Sequence, residues 1–181
     1  NGRVLCADCH KRVTLYKKAE DIDLRAPFVE ELIKIAERDS RAVVITCDVG
    51  FKFLDKFAEK FPQRYFNLGI TESSAMIIAG AMALSGLRPI FYSMINFSIF
   101  RPFEALRNIV CYHNAPVIVA GVSGSKAYGF LGLSHNTTKN EDINAVWKFP
   151  NLRIRIPWNE KEAREAVSES FLSNSPTYIR L

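Results

Sequence analysis

Helical and strand-like patterns of hydrophobic residues alternate along the chain. Over residues 26–39 apolar side chains repeat at helical spacing, and the next apolar run, residues 42–47, is β-branched and lacks polar alternation. The first pattern predicts an amphipathic helix, and the second is typical of a strand covered on both faces. Later strands are predicted at residues 65–68, 89–94, 116–121, 151–156 and 177–181, and later helices at residues 53–58, 71–85, 102–112, 141–148 and 159–172.

This alternation predicts an α/β fold: a mostly parallel sheet of about six strands with helices on both faces. We expect residues 26–181 to form this domain and residues 1–25 to be an N-terminal extension that can be mobile. The polar, glycine-rich residues 122–140 are predicted to form a long loop of the kind that is usually functional or disordered. Ligands of open parallel sheets bind beyond the carboxyl ends of the strands, so we expect a site after residues 47, 68, 94 and 121.

Composition and charge narrow the class of protein. The 181 residues include 24 Lys and Arg against 19 Asp and Glu, a net charge of +5, and 48% of them are hydrophobic, which is enough for a buried core. The longest apolar run, residues 75–84, is too short to span a bilayer, and no secretion signal opens the chain. Because the positive residues are spread out, we expect a cytoplasmic protein that binds neither nucleic acid nor a membrane.

The four cysteines give little support for a metal site. Cys6 and Cys9 have the C-x-x-C spacing of half a zinc site. Neither Cys47 nor Cys111 has another Cys or His at ligand spacing, so the second half is missing. We therefore predict reduced thiols and no metal held by this chain, with zinc binding by Cys6 and Cys9 as the alternative.

Four segments that follow predicted strands carry the candidate chemistry: residues 48–50 (DVG), 67–72 (NLGITE), 93–97 (SMINF) and 132–135 (GLSH). In order and spacing they resemble the pyrimidine-binding domain of the transketolase family of thiamine diphosphate enzymes. The resemblance runs from about residue 26 to residue 181. Its most specific part is N-L-G-I-T-E, followed by a small-residue helix and G-x-x-P, and the G-x-S-H segment with the downstream residues 141–143 (EDI) adds to it.

The resemblance gives Glu72 the central role. In this family the matching glutamate hydrogen-bonds the pyrimidine N1′ of thiamine diphosphate and favours the imino tautomer, which takes the proton from the thiazolium C2. That role requires a desolvated carboxyl, although the N-terminus of the following helix favours the charged form. The pattern alone is equally well explained if Glu72 is a first-turn acid that stabilises its helix.

The resemblance also assigns an aromatic pocket. It places Phe97 against the aminopyrimidine ring, with Met94 and Phe100 lining the same pocket, because a flat apolar ring has little entropy to lose on binding. Core packing is the alternative for Phe100. Asn96 either faces the cofactor or caps the next helix.

Further residues match family positions near the cofactor and the substrate. Asp48 and Val49 match an acid-plus-aliphatic pair beside the cofactor, although Asp48 could instead cap the next helix. His135 matches the loop histidine that touches the substrate and can donate to a hydroxyl or relay a proton. Arg25, with its bidentate guanidinium, and Lys52 are candidates for holding a sugar phosphate.

The sequence departs from the family pattern on the sugar side. Leu131 stands where transketolases have an aspartate that contacts sugar hydroxyls, residues 123–126 (SGSK) replace a second histidine, and Ile156 replaces a phosphate arginine. The cofactor half of the pattern is therefore kept while the sugar half is altered. A different ketose, a shortened acceptor or an α-keto acid remains open as the substrate.

The diphosphate-binding domain of the family, with its metal-binding G-D-G…N pattern, has no counterpart in this sequence. We therefore predict the pyrimidine-binding half of a transketolase-like transferase that moves a two-carbon ketol unit between ketose and aldose substrates. A diphosphate-binding subunit would hold Mg²⁺ and the diphosphate, in a homo- or hetero-oligomer. The alternatives are a 2-oxo acid dehydrogenase β-subunit, a deoxyxylulose phosphate synthase-like enzyme, and a non-catalytic regulatory module that retains the fold.

Overall fold

A parallel six-stranded sheet organises the part of the chain that the computed structural model describes, residues 23–123, 129–138 and 140–181. Every neighbouring pair of strands is parallel. The strands are β1 (Ala42–Thr46), β2 (Tyr65–Asn67), β3 (Arg88–Met94), β4 (Ile118–Val122), β5 (Arg153–Arg155) and β6 (Thr177–Arg180). Their spatial order is β2-β1-β3-β4-β6-β5, so the turns that follow the first four strands lie along one edge of the sheet.

Helices cover both faces of this sheet, which confirms the predicted α/β class. They are α1 (Arg25–Arg38), α2 (Asp55–Lys60), α3 (Glu72–Leu84), α4 (Phe103–Ala105), α5 (Glu141–Val146) and α6 (Glu160–Leu172). The first, second and sixth helices pack on one face, and the other three pack on the opposite face. Side chains of β1 alternate between the two cores, Val44 in one and Ile45 in the other, which is why the strand has no polar alternation.

Two π-helices flank α4, and the hydrophobic pattern does not predict either of them. One covers Asn96–Phe100 directly after β3, and the other covers Leu106–Cys111 directly after α4. The helix predicted over residues 102–112 is therefore a short α-helical turn that widens into a π-helix. Shorter 3-10 helices cover Pro62–Arg64 and, inside the stretch predicted as a loop, Gly129–Ser134.

α3 has a closely packed inner face and an apolar outer face. A Cβ atom added to Gly80 would lie 2.6 Å from Ile109 Cγ2, so even alanine would push that side chain aside. The absence of a side chain thus lets α3 approach the second π-helix closely. Ile77, Ile78 and Leu84 remain exposed on the outer face.

The N-terminal boundary lies close to the predicted one. α1 begins at Arg25, and Leu24 before it is already buried. Residues 1–22, which include Cys6 and Cys9, and residues 124–126 lie outside the described residues. The extension at residues 1–25 therefore stays a prediction. Across the ranges that the structure does describe, no helix is long and apolar enough to cross a membrane.

Replacing Gly121 in β4 by alanine is expected to destabilise the domain. The added Cβ atom would lie 2.7 Å from Tyr178 Cε2 and 2.9 Å from Ser98 Oγ. Tyr178 is fully buried and its hydroxyl donates to Asp142 Oδ2 at 2.6 Å, so the ring cannot move aside without losing that bond. We expect urea denaturation to show a loss of about 1–3 kcal/mol. Ser74→Ala, on the exposed side of α3, is the control, and equal stability of Gly121→Ala and wild type would contradict this packing.

Stability is also expected to depend on pH through Cys111, which is fully buried at the end of the second π-helix. Burial raises the pKa of this thiol from 9.0 to about 12. A raised pKa favours the neutral thiol in the folded state, so this contribution is complete below about pH 9 and is lost as the pH rises toward 12. We expect the free energy of unfolding to fall by about 1 kcal/mol per pH unit in that window.

The measurement is urea denaturation from neutral pH to about pH 10.5, on wild type and on Cys111→Ala. The alanine variant carries no thiol at this position, so its stability should fall less steeply above pH 9 than that of wild type. Parallel pH profiles for the two proteins would show that Cys111 does not contribute.

Candidate cofactor-binding site

Glu72 is the first residue of α3 and is buried although it carries a charge. Its side chain is 4% exposed, and Oε1 accepts a hydrogen bond from Arg101 Nη1 at 2.5 Å. Thr71, which precedes it, donates its hydroxyl to the Leu68 carbonyl at 2.9 Å and does not cap the helix. A buried carboxylate is costly unless it is paired, so the guanidinium is what allows the charge to lie here.

Four side chains meet at this point, and we call Glu72, Phe97, Arg101 and His135 the acid–aromatic cluster. Cζ of Arg101 lies 3.8 Å from the centroid of the Phe97 ring, so the guanidinium stacks on that ring. His135 meets the same ring edge to face, with the centroids 5.0 Å apart and the planes at 72°. The cluster thus brings together a buried carboxylate, a flat apolar ring and an imidazole, and three of its four members are residues predicted from the sequence.

Asn96 fastens the loop that carries His135 to the π-helix that carries Phe97. Its Nδ2 donates to the carbonyl oxygens of Leu133 at 2.8 Å and Asn136 at 3.1 Å. Its Oδ1 is buried and has no hydrogen-bond partner in the part of the chain that is described. The interpretation of Asn96 as a helix cap is therefore wrong, because the side chain makes no cap hydrogen bond.

The loop histidine is also held by its neighbour. Ser134 Oγ lies 2.7 Å from His135 Nδ1, within hydrogen-bond distance. The Ser134 hydroxyl is 2.9 Å from the Leu131 carbonyl as well, to which it donates. Because Nδ1 is engaged with this hydroxyl, Nε2 is the imidazole nitrogen left to contact a substrate.

A second group of predicted residues surrounds a small cavity at the same edge of the sheet. Arg25, Val49 and Met94 line this space of about 10 Å³, which has room for about one water molecule. Arg25 stacks on Phe53 at 4.1 Å and donates to both carboxylate oxygens of Asp23, at 2.8 and 2.7 Å. A sugar phosphate would therefore have to displace Asp23 before it could bind this guanidinium.

The remaining predicted residues lie on the surface. Asp48 has a φ of 56°, and its N–H donates to Asn67 Oδ1 at 2.9 Å. It caps no helix, since the N-cap of α2 is Leu54, so the cap interpretation is wrong. Phe100 is exposed, which makes core packing the wrong explanation for it. Lys52 is exposed as well and does not line the cavity beside Arg25.

Sequence reasoning missed two residues of this site. Arg101 stands directly after the aromatic patch, but the π-helix that stacks it on Phe97 leaves no periodic signal. Cys47, at the end of β1, lies close to Glu72. Burial raises the pKa of its thiol, a hydrogen bond with Thr71 lowers it, and the Glu72 carboxylate raises it.

The cluster suits one end of thiamine diphosphate. A flat group with N–H donors already lies between the Glu72 carboxylate and the Phe97 ring, in the form of the Arg101 guanidinium. An aminopyrimidine is also flat and also hydrogen-bonds a carboxylate, so these residues fit it. Within the described ranges no group of three or more His, Cys, Asp or Glu residues could hold a metal ion.

Comparison with known proteins places the chain in a family. Residues 20–181 match the family model of the transketolase pyrimidine binding domain, so the chain belongs to this family. The resemblance drawn from N-L-G-I-T-E and G-x-S-H is therefore confirmed. Two relatives are 1-deoxy-D-xylulose-5-phosphate synthase of Listeria monocytogenes, 35% identical over 83% of this chain and 24% of the relative, and one of the subunits of apulose-4-phosphate transketolase from Phocaeicola vulgatus, 30% identical over 88% of this chain and 51% of the relative.

Solved structures agree with this assignment. A split-gene transketolase, described as an inactive β4 tetramer, superposes with a TM-score of 0.78 at 28% identity and covers 88% of this chain and 50% of its own. A transketolase mutant from Pichia stipitis shares the fold, with a TM-score of 0.75 at 17% identity over 88% of this chain and 25% of its own. The chain thus spans about a quarter to a half of the length of the relatives it matches.

Replacing Asn96 by alanine is expected to release the His135 loop without unfolding the domain. The change removes both hydrogen bonds to the loop carbonyls, each worth about 1 kcal/mol. Amide exchange at residues 131–136 should accelerate by about tenfold, while exchange in β4 stays unchanged. Asn108→Ala in the other π-helix is the matched control, because that amide donates to Glu104 and not to the loop. Unchanged exchange at residues 131–136 would mean that Asn96 does not hold the loop.

Proposed function

We propose that this chain is the pyrimidine-binding half of a thiamine diphosphate-dependent transferase of the transketolase type, which moves a two-carbon ketol unit between ketose and aldose substrates. The observation that carries the proposal is the buried Glu72 carboxylate beside the face of Phe97. When bound, the cofactor supplies the electron sink that breaks a carbon–carbon bond next to a carbonyl. A regulatory module would have no need to bury a carboxylate at this edge of the sheet.

Each residue of the cluster has a distinct task in this proposal. Glu72 holds or shares a proton at the pyrimidine N1′, and Phe97 offers its face to the pyrimidine ring. His135 donates to a substrate hydroxyl or relays a proton. Arg25 remains the candidate for a sugar phosphate, with Lys52 as a weaker one. The other cofactor contacts that we propose are Asp48, Val49, Met94, Asn96 and Phe100.

The other half of the site requires a partner. The described residues offer a place for the pyrimidine and no cluster for Mg²⁺, and the chain spans about half of the Phocaeicola vulgatus transketolase chain. We therefore propose that a diphosphate-binding transketolase subunit or domain carries Mg²⁺ and the diphosphate, in a homo- or hetero-oligomer. The unpaired thiols of Cys47 and Cys111 favour a cytoplasmic location, where cysteines stay reduced.

A second candidate is a deoxyxylulose phosphate synthase-like reaction, which keeps the same cofactor. The 35% identity with the Listeria monocytogenes enzyme favours it. So does the apolar loop around His135, where Leu131 is half-buried and Leu133 is exposed. Such side chains cannot hydrogen-bond the hydroxyls of a long sugar, which suits a short donor such as an α-keto acid. A 2-oxo acid dehydrogenase β-subunit is the remaining alternative within this chemistry, and no observation favours it.

The test is calorimetric titration of thiamine diphosphate with Mg²⁺, into this chain alone and into its mixture with a diphosphate-binding transketolase subunit. We expect tight binding only in the mixture, followed by turnover of a ketose donor. Glu72→Gln should lower turnover by about a hundredfold or more with an unchanged circular dichroism spectrum, because the amide cannot hold the proton. Glu160→Gln, the same change at the first residue of α6, is the matched control.

The outcomes separate the candidates. Turnover with a ketose donor supports the transketolase reaction, and turnover with an α-keto acid supports the second candidate. Full activity of Glu72→Gln would remove the proposed role of that carboxyl. A proven partner complex that binds no cofactor would favour the regulatory module.

A further inference from the structure

We infer that the Arg101 side chain is an internal stand-in for the aminopyrimidine ring and must leave the acid–aromatic cluster when the cofactor binds. This inference rests on the proposed function, because it concerns the same two recognition groups. It adds an autoinhibitory contact: the guanidinium competes with the cofactor and makes part of the affinity conditional on its displacement.

The competition follows from where the guanidinium lies. It donates to Glu72 Oε1 at 2.5 Å and stacks 3.8 Å from the Phe97 centroid. A planar guanidinium with N–H donors satisfies the same two groups that a flat aminopyrimidine would use. Phe97 is only 7% exposed, so no second open face is available to a ligand. A ring that stacks on Phe97 and bonds to Glu72 must therefore take the place of Arg101.

Arg101 is built so that its side chain can move while its backbone stays fixed. The side chain is 45% exposed, in contrast to the 4% of Glu72. Its N–H donates to the Asn96 carbonyl at 3.2 Å, and its own carbonyl accepts from Ser73 Oγ at 2.9 Å. Pro102, which follows, is buried. A rotation about the side-chain bonds would thus carry the guanidinium into solvent without disturbing α3 or the π-helix.

Displacement leaves the Glu72 carboxylate buried without its counter-charge, which is unfavourable unless another donor replaces the guanidinium. Ligands that stack on Phe97 but offer no hydrogen-bond donor to the carboxylate would therefore bind poorly. The contact thus acts as a specificity filter as well as a cover for the cluster before the cofactor binds.

The experiment titrates the pyrimidine end of the cofactor alone, 4-amino-5-hydroxymethyl-2-methylpyrimidine, into the full ¹⁵N-labelled chain and follows binding by NMR. If Arg101 occupies the cluster for about nine-tenths of the time, Arg101→Met should bind this probe about tenfold more tightly than wild type. Arg107→Met is the matched control, because Arg107 also stacks on an aromatic ring, that of Tyr112 at 4.7 Å, and makes no contact with Glu72. It should bind as wild type does.

A second readout follows the guanidinium itself. The Nε–Hε signal of Arg101, assigned from its loss in Arg101→Met, should shift when the probe saturates wild type. Arg101→Lys retains the positive charge but not the planar group, so its affinity for the probe should lie between those of wild type and Arg101→Met. This variant also decides the question if Arg101→Met does not fold, since Glu72 keeps a cationic partner.

Failure of the inference can be told apart from failure of the proposed function. Equal or weaker binding of the probe by Arg101→Met and Arg101→Lys, or an unmoved Nε–Hε signal, overturns the inference alone. If the probe is too weak to measure, the same comparison is made with thiamine diphosphate and Mg²⁺ in the partner complex, where unchanged affinity overturns it too. Absence of cofactor binding by every form of that complex overturns the proposed function and the inference together.

Discussion

A carboxylate removed from water at the start of a helix needs a counter-charge, and the cofactor edge of this domain is arranged around that need. Glu72 is dry while Arg101 keeps contact with solvent, so the pair joins a fixed charge to a movable one. The backbone of Arg101 is held by Ser73, the neighbour of Glu72 in α3. The same helix thus carries the acid and anchors its partner, and the turns after β2 and β3 become one unit.

The wide π-turn after β3 is what makes this arrangement possible. It places Phe97 beneath the Arg101 guanidinium and leaves Asn96 free to reach the loop of His135. π-turns tend to occur at functional sites because the extra residue alters the direction in which side chains point. The resulting cluster collects residues from α3, the π-helix and the loop after β4, three segments that meet only because their strands are parallel neighbours.

The elements that could be predicted from the sequence are those whose signal is local. β1 is a continuous β-branched run, α3 is a run of small residues, and N-L-G-I-T-E places Glu72 at their junction. Arg101 and the clamp by Asn96 depend on contacts between residues 29 to 40 positions apart, which no short pattern contains. The same holds for the bond between Arg25 and Asp23, because spacing gives the position of a guanidinium but not the carboxylate that already occupies it.

The exposed apolar face of α3 has a thermodynamic consequence. α3 is a single stiff rod of 13 residues, about 20 Å long, with Glu72 at one end and Ile77, Ile78 and Leu84 along its outer side. A protein surface that covers those side chains and shifts the rod would move the carboxylate with it. Linkage then works in both directions: whatever free energy assembly contributes to binding at Glu72, a ligand at Glu72 returns to assembly.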